Sequence, residues 1–221
     1  MTEKNSTCSV RSSHTSRMNK VSALITGFRP FGGRRLNSSW AGISWIDCDG
    51  VLLEELPVVW GEPTRRITQL VDQNRPTTIV SFGEGKEGFF HLETRALNRR
   101  DQRPDENGQL PSVEFNSIDG PSERYLGTDV KELQAFLVQE RYPTIVSSDA
   151  GQYLCEETIF TLEGLRVTYE EVRRVYFCHL PPYGTEIRVA NEMVKVDAVV
   201  LKGFVAKLIG FLRIGDSERV N

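Results

Sequence analysis

The sequence predicts a single-domain α/β/α sandwich built on a central, largely parallel mixed sheet. Short runs of β-branched and aliphatic residues alternate along the chain with segments whose apolar residues recur at helical spacing. This alternation is typical of α/β folds, in which helices cover the faces of a sheet. The chain has 221 residues, which is enough for one domain with a substantial core.

The predicted strands share β-branched and aliphatic residues bounded by turn residues. They comprise residues 21–26, 51–59, 77–82, 144–147 and 172–180. Pro57 places the second strand at a sheet edge or a bulge, because proline cannot donate a hydrogen bond to a neighbouring strand. The run at 144–147 is expected to be a buried strand. Residues 93–98 are expected to be extended, and residues 103–108 are expected to form a turn-rich surface loop.

The predicted helices combine capping or proline starts with apolar residues at helical spacing. They begin at Asn37, Pro63, Asp129 and shortly after Gly151. Residues 186–212 are expected to form one long terminal helix with an apolar stripe. Val199, Val200 and Phe204 lie off that stripe, which indicates a homo-oligomer.

The two ends of the chain are expected to lie outside the folded domain. Residues 1–19 are rich in Ser, Thr, Asn and basic residues and lack the apolar run of a signal peptide. We expect a disordered tail there, a domain over residues 20–215, and a C-terminal tail over residues 216–221.

Composition excludes several classes of function. The formal net charge of −3 provides no basic face for nucleic acid. No apolar run approaches the roughly 18–20 residues that a membrane-spanning helix needs. The 4 cysteines are scattered, without a Cys-x-x-Cys pair, so we expect a reducing, cytoplasmic setting.

Cys155 is a candidate nucleophile. It lies in the first turns of the predicted helix that follows the strand at residues 144–147. Unpaired N–H groups and the helix dipole favour a negative charge there, and therefore an ionised thiol. Acyl-transfer enzymes use such a corner of strand, tight turn and helix. The alternative is an inert, buried cysteine.

A cysteine nucleophile needs an imidazole, and the imidazole needs a group that orients it. Of the 3 histidines, His179 is the default partner, and Glu93 is the candidate orienting carboxylate. We expect Cys155 and His179 at the carboxyl ends of neighbouring strands, together with the loops at Gly27, Gly83 and Ser148. The alternatives are a core histidine and a solvated glutamate.

A metal site is a less favoured interpretation of the region around Glu93. Residues 91–93 (HLE) have the H-x-E form found in zinc deaminases. The P-C-x-x-C partner of those enzymes is absent from the sequence, so no metal is expected.

Five segments in one order carry a resemblance to a known family. They are residues 27–33 (GFRPFGG), 55–58 (ELPV), 93–98 (ETRALN), 148–155 (SDAGQYLC) and 177–181 (FCHLP). This set resembles the pyroglutamyl peptidase I (pyrrolidone-carboxylate peptidase) family of cysteine peptidases. The corresponding family motifs include G-F-x-P-F-G-G, E-R-V-A-I-N and F-I-H-x-P, and the likeness runs from about residue 21 to the terminal helix.

The resemblance implies a peptidase that removes N-terminal 5-oxoproline from peptides with a blocked N-terminus, without metal or cofactor. It implies a Cys155–His179–Glu93 triad and an oxyanion bound by the backbone N–H groups of Cys155 and Arg103. The positions that clamp the lactam ring in the family are matched here by Phe28, Phe31, Tyr153 and Leu154. Family members are often oligomeric.

Two side chains depart from the family pattern. Glu84 replaces the usual Gln that binds the lactam, and a carboxylate accepts from the lactam N–H but donates to its carbonyl only when protonated. Glu156 replaces an Asn and adds a negative charge near the thiol. The loop before Pro104 is also shorter than in the family. Two alternatives therefore remain: a relaxed-specificity cysteine amidase for another small acyl group, and a non-catalytic binding protein of the same fold.

Overall fold

The computed structural model describes residues 21–214, so the predicted tails at residues 1–19 and 216–221 lie outside the described residues. The strands are β1 Ala23–Phe28, β2 Val51–Leu56, β3 Thr78–Glu84, β4 Phe90–Glu93, β5 Arg95–Leu97, β6 Glu123–Tyr125, β7 Thr144–Ser147, β8 Arg174–Leu180, β9 Glu186–Val189 and β10 Glu192–Lys195. The helices are α1 Ser38–Ile43, α2 Glu62–Asn74, α3 Lys131–Gln139, α4 Leu154–Thr168 and α5 Ala198–Leu212.

A 6-stranded sheet in the order β2-β1-β3-β8-β4-β7 forms the middle of the molecule. Strands β2, β1, β3 and β8 run parallel to one another. Strand β4 joins β8 in antiparallel fashion and pairs with β7 in parallel. The sheet is therefore mixed and largely parallel, which confirms the predicted fold class.

Helices cover both faces of this sheet. One buried cluster includes Ile43 of α1, Leu133 of α3 and Phe204 of α5. A second cluster includes Ile67 of α2 and Phe160 of α4. Since the sheet separates two apolar clusters, the molecule has the three layers of an α/β/α sandwich.

The two edge strands differ from each other in how well the sequence predicts them. Strand β2 lies at one edge, as Pro57 just beyond it indicates. The prediction of a buried strand at residues 144–147 is wrong, because β7 is the other edge, with Ile145 36% and Val146 41% exposed. A short β-branched run has the same sequence pattern in the middle of a sheet and at its edge. Only the elements packed around the strand decide how far it is buried.

The prediction of one helix over residues 186–212 is also wrong. Strands β9 and β10 form an antiparallel hairpin, and Ala190 takes a positive φ of 54° at its turn. Asp197 then starts α5, because its Oδ1 accepts hydrogen bonds from the N–H groups of Val199 at 2.8 Å and Val200 at 2.9 Å. The apolar residues of the hairpin follow a period of two, and the sequence analysis mistook them for part of a helical stripe.

Across residues 21–214, no helix is both long enough and apolar enough to cross a membrane.

Candidate active site

Cys155 lies in the first turn of α4, after a tight turn in which Gly151 and Gln152 have φ values of 84° and 55°. The N-cap residue, Tyr153, has an extended backbone and makes no side-chain capping bond. The first N–H groups of a helix have no acceptor within the helix. Those of Leu154 and Cys155 therefore have no acceptor within α4.

Two glycines at the end of β3 allow the thiol and an imidazole to approach the sheet closely. A Cβ on Gly83 would lie 2.8 Å from Sγ of Cys155 and 2.9 Å from Cδ2 of His179. A Cβ on Gly85 would lie 2.6 Å from Cβ of His179. Real contacts of this kind are not found below 3.0 Å, so Gly83 and Gly85 are required for the arrangement. The structure thus brings Cys155 and His179 against the same point of the backbone.

Glu93 lies within hydrogen-bonding distance of His179. The Nδ1 atom of His179 lies 2.8 Å from Oε1 of Glu93, and both residues are buried. Burial alone lowers the pKa of His179, but the adjacent Cys155 thiolate and the hydrogen-bonded Glu93 carboxylate outweigh burial and raise it to about 10. Cys155 and Glu93 therefore both favour the protonated form of the His179 ring.

The topology differs from the expected one. The prediction that Cys155 and His179 follow neighbouring strands is wrong, because β4 lies between β7 and β8. Strand β7 also runs opposite to β8, so the loop at Ser148 does not leave the sheet in the same direction as the loops at Gly27 and Gly83. Strand β4 is short and contributes Glu93 from this intermediate position, which no alternation of predicted elements indicates.

An aromatic wall adjoins the thiol. The rings of Phe31 and Tyr153 lie 6.4 Å apart, and Trp60 meets Tyr153 edge to face at 5.0 Å. Phe28 and Leu154 are buried beneath this wall in the core. The sequence analysis missed Trp60, although a tryptophan directly after the predicted strand at residues 51–59 could have suggested it.

Arg103 lies on the rim of the aromatic wall. Its Nη2 donates to the carbonyl of Gly151 at 2.7 Å, and its guanidinium carbon lies 4.6 Å from the centre of the Tyr153 ring. The carbonyl of Arg103 accepts from Nε1 of Trp60 at 2.9 Å, and the hydroxyl of Tyr153 donates to the carbonyl of Pro104 at 3.0 Å. These contacts attach the loop to the turn that precedes Cys155.

A family model described as pyroglutamyl peptidase matches residues 21–208. The chain belongs to the pyroglutamyl peptidase family. The pyrrolidone-carboxylate peptidase of Enterobacter sp. (strain 638) is 32% identical over 147 residues, which cover 63% of this chain and 68% of that protein. The enzyme of the same name from Streptomyces coelicolor is 32% identical over 166 residues, which cover 72% of this chain and 76% of that one.

Solved structures show the same fold. The pyrrolidone carboxyl peptidase of Fervidobacterium islandicum AW-1 has a TM-score of 0.75 at 25% identity, covering 88% of this chain and 99% of that one. Pyroglutamyl peptidase I of Bacillus amyloliquefaciens has a TM-score of 0.75 at 22% identity, covering 87% and 94%. The family match over residues 21–208 makes the protein a cysteine-type omega peptidase.

In this member of the pyroglutamyl peptidase family, the carboxylate of Glu84 already has protein partners. Its Oε2 accepts from the N–H of Ser38 at 3.0 Å and from the Ser38 hydroxyl at 3.1 Å. Its Oε1 is paired with the guanidinium of Arg34. Glu84 therefore joins the loop that carries Phe31 to the end of β3.

The carboxylate of Glu156 also has backbone partners. It accepts hydrogen bonds from the N–H groups of Leu97 and Gln152, and the latter bond closes the N-terminus of α4. Burial raises the pKa of Glu156, although these two donors oppose the rise. The sequence analysis expected only an extra charge near the thiol and missed this capping contact.

Proposed function

We propose that this protein removes N-terminal 5-oxoproline from peptides through a Cys155–His179–Glu93 triad. The observation that carries the proposal is the buried His179–Glu93 pair, held against a thiol at the start of a helix, in a chain of the pyroglutamyl peptidase family. The names of the relatives supply the substrate.

Acylation begins with the Cys155 thiolate. Its Sγ attacks the carbonyl carbon of the 5-oxoproline residue, and the carbonyl oxygen becomes an oxyanion. The backbone N–H groups of Cys155 and Arg103 are the proposed donors to that oxygen. His179 gives its proton to the departing amine nitrogen as the C–N bond breaks, which leaves a thioester on Cys155.

Deacylation uses the same imidazole as a base. His179, now neutral, removes a proton from water, and the resulting hydroxide attacks the thioester carbonyl. The C–S bond breaks, free 5-oxoproline leaves, and the thiolate–imidazolium pair is restored. Glu93 stabilises the imidazolium throughout.

The aromatic wall suits the proposed ring. The lactam is flat and uncharged, whereas an ordinary N-terminal amine is charged and loses hydration when it enters an apolar pocket. Phe28, Phe31, Tyr153 and Leu154 are the proposed ring contacts, with Glu84 at the ring edge. The proposed partners are peptides with a blocked N-terminus, and the proposed location is the cytoplasm, for which the free cysteines at 48, 155 and 178 are suitable.

A fluorogenic pyroglutamyl-coumarin amide tests the proposal. Wild type should release the fluorophore, iodoacetamide should block release, and Cys155→Ala should lower kcat/KM by about 10³-fold or more. Cys48→Ala is the matched control, because Cys48 is an exposed free cysteine outside the site, and its activity should equal that of wild type. A prolyl-coumarin amide, which has a charged ring nitrogen, should be a far poorer substrate.

Two results would contradict the proposal. One is wild-type protein without thiol-sensitive turnover of any pyroglutamyl substrate, and the other is a Cys155→Ala protein that keeps wild-type turnover. Thiol-sensitive turnover of other acyl amides alone would favour the relaxed-specificity amidase.

A further inference from the structure

Two buried polar atoms in the catalytic layer have no hydrogen-bond partner among residues 21–214: Oε2 of Glu93 and Nδ1 of His91. Buried polar atoms are nearly always paired, and an unpaired one costs about 1–3 kcal/mol. The two residues are separated by a single position on β4, so their side chains lie on the same face of the sheet. One bound group between these two side chains would satisfy both atoms.

His91 also lies beside the proposed triad. It is directly opposite His179 in the antiparallel β4–β8 pair, and opposed side chains have Cβ atoms about 4.5–5.5 Å apart. Its ring is half-buried, on the face that Glu93 and His179 share. His91 has no role in the chemistry described above.

We propose that His91 is a positioning residue of the active site, whose Nδ1–H donates through one bridging water to Oε2 of Glu93. This inference rests on the proposed triad. Oε1 of Glu93 accepts from His179, so the bridge occupies the second carboxylate oxygen. A carboxylate held at both oxygens cannot rotate away from His179, and its ionised form is stabilised by two donors.

The electrostatic surroundings keep His91 in the form that the bridge needs. Burial lowers the pKa of His91, and the positive charges of His179 and Lys86 lower it further, while Glu93 and the backbone of Phe89 oppose them. The ring is therefore neutral at pH 7, with one N–H and one free nitrogen. A bound water needs two to four polar partners, and Nδ1 of His91 and Oε2 of Glu93 provide two.

Charged groups on the other packed elements define the setting of this bridge. Cys155 of α4 faces His179, and Glu156 of α4 acts on Glu93 as a like charge. A nearby like charge makes ionised Glu93 more dependent on its donors.

Three substitutions of His91 separate a positioning role from simple packing. Asn places an amide nitrogen near the position of Nδ1, Gln places one near the outer ring nitrogen, and Leu places none. His91→Leu and His91→Gln should lower kcat about tenfold with KM nearly unchanged, and His91→Asn should recover most of the loss. The acidic limb of the pH–kcat profile should move to higher pH in His91→Leu, because ionised Glu93 has lost a donor.

A second measurement needs no substrate. The rate of iodoacetamide alkylation of Cys155, followed against pH in a Cys48→Ala background, reports the thiolate–imidazolium pair. Its acidic limb should move to higher pH with His91→Leu and remain in place with His91→Asn. The inference is overturned if His91→Leu matches wild type in both profiles, or if His91→Asn is as impaired as His91→Gln.

These outcomes are distinct from a failure of the proposed function. That failure appears with Cys155→Ala and the pyroglutamyl amide, whereas the alkylation profiles test His91 whatever the substrate. If His91→Leu does not fold, the comparison of Asn with Gln still decides, because both are polar and differ in where the donor lies.

Discussion

His179 shows how single contacts set the chemistry of one residue. Cys155 and Glu93 raise its pKa to about 10 in spite of burial, so the folded protein favours the imidazolium. The pKa is raised, and the imidazolium therefore stabilises the fold fully below the ordinary value near 6.5. This stabilisation decreases as the pH rises toward 10. Activity that needs the thiolate–imidazolium pair should decline over the same alkaline range.

Glu93→Gln tests this at the residue scale. The amide keeps the shape of the side chain but removes the charge, so the pKa of His179 should fall. We expect kcat to drop by about 10²–10⁴-fold and the alkaline limb of the pH–kcat/KM profile to move to lower pH. Steady-state assays with the pyroglutamyl amide from pH 5 to about pH 10.5 would measure both effects.

The matched control is Glu163→Gln, which alters another buried glutamate, paired with Arg166 near the far end of α4. It should leave the pH profile in place. An alkaline limb that stays the same in Glu93→Gln would contradict the role assigned to the carboxylate.

At the scale of elements, the end of β3 positions the site. Gly83 leaves room for the Cys155 thiol and the His179 ring, and Gly85 leaves room for Cβ of His179. Glu84, between them, accepts a hydrogen bond from Ser38 at the start of α1. A strand normally alternates its side chains between two faces. Gly83 has no side chain on the face toward Cys155, and its absence lets α4 approach the sheet.

Gly83→Ala should therefore disrupt catalysis. The added methyl group meets Sγ of Cys155 at 2.8 Å, so the thiol or the imidazole has to move by a substantial fraction of an ångström. We expect kcat/KM to fall by about 10²-fold or more, because small displacements of reacting groups are costly. Assays with the pyroglutamyl amide would measure the loss.

Gly210→Ala in α5 is the control, since a Cβ there meets nothing within 4 Å. It should raise the free energy of unfolding by about 0.5–1 kcal/mol and leave kcat/KM unchanged. A Gly83→Ala enzyme with wild-type kcat/KM would show that the close approach is not needed.

At the scale of the whole molecule, the structure exposes a different set of apolar residues from the one that predicted an oligomer. Phe204, expected outside the buried stripe, is fully buried and stacks on Phe90 at 4.0 Å. Val199 remains 77% exposed at the start of α5, and the β7 edge exposes Ile145 and Val146. Homo-oligomerisation therefore stays a prediction, with fewer exposed apolar residues on α5 than the sequence indicated.

Light scattering at tens of micromolar protein measures the assembly. We expect a mass above that of one 25.0 kDa chain, and a lower mass for Val199→Glu if the start of α5 is in the interface, because a buried unpaired charge is unfavourable. A wild-type mass equal to one chain would contradict the prediction.

The sequence alone determined the fold class, and it singled out side chains that the structure places close together. Alternating periodicities predicted the sandwich, and strand-then-helix order around Cys155 predicted a thiol in the first turn of a helix. These features are local, since they depend on residues a few positions apart. Elimination among the 3 histidines singled out His179, which the structure brings to Cys155 and Glu93.

Only the tertiary structure decided which strands are neighbours and which polar atoms are satisfied. The pattern of β-branched residues does not predict that β4 lies between β7 and β8, or that Ile145 is at an edge of the sheet. The partners of Glu84 and Glu156, the contact of Trp60 with Tyr153 and the unpaired atoms of His91 and Glu93 all join segments distant in sequence. Such contacts depend on how packed elements meet, and no local pattern of residues encodes that geometry.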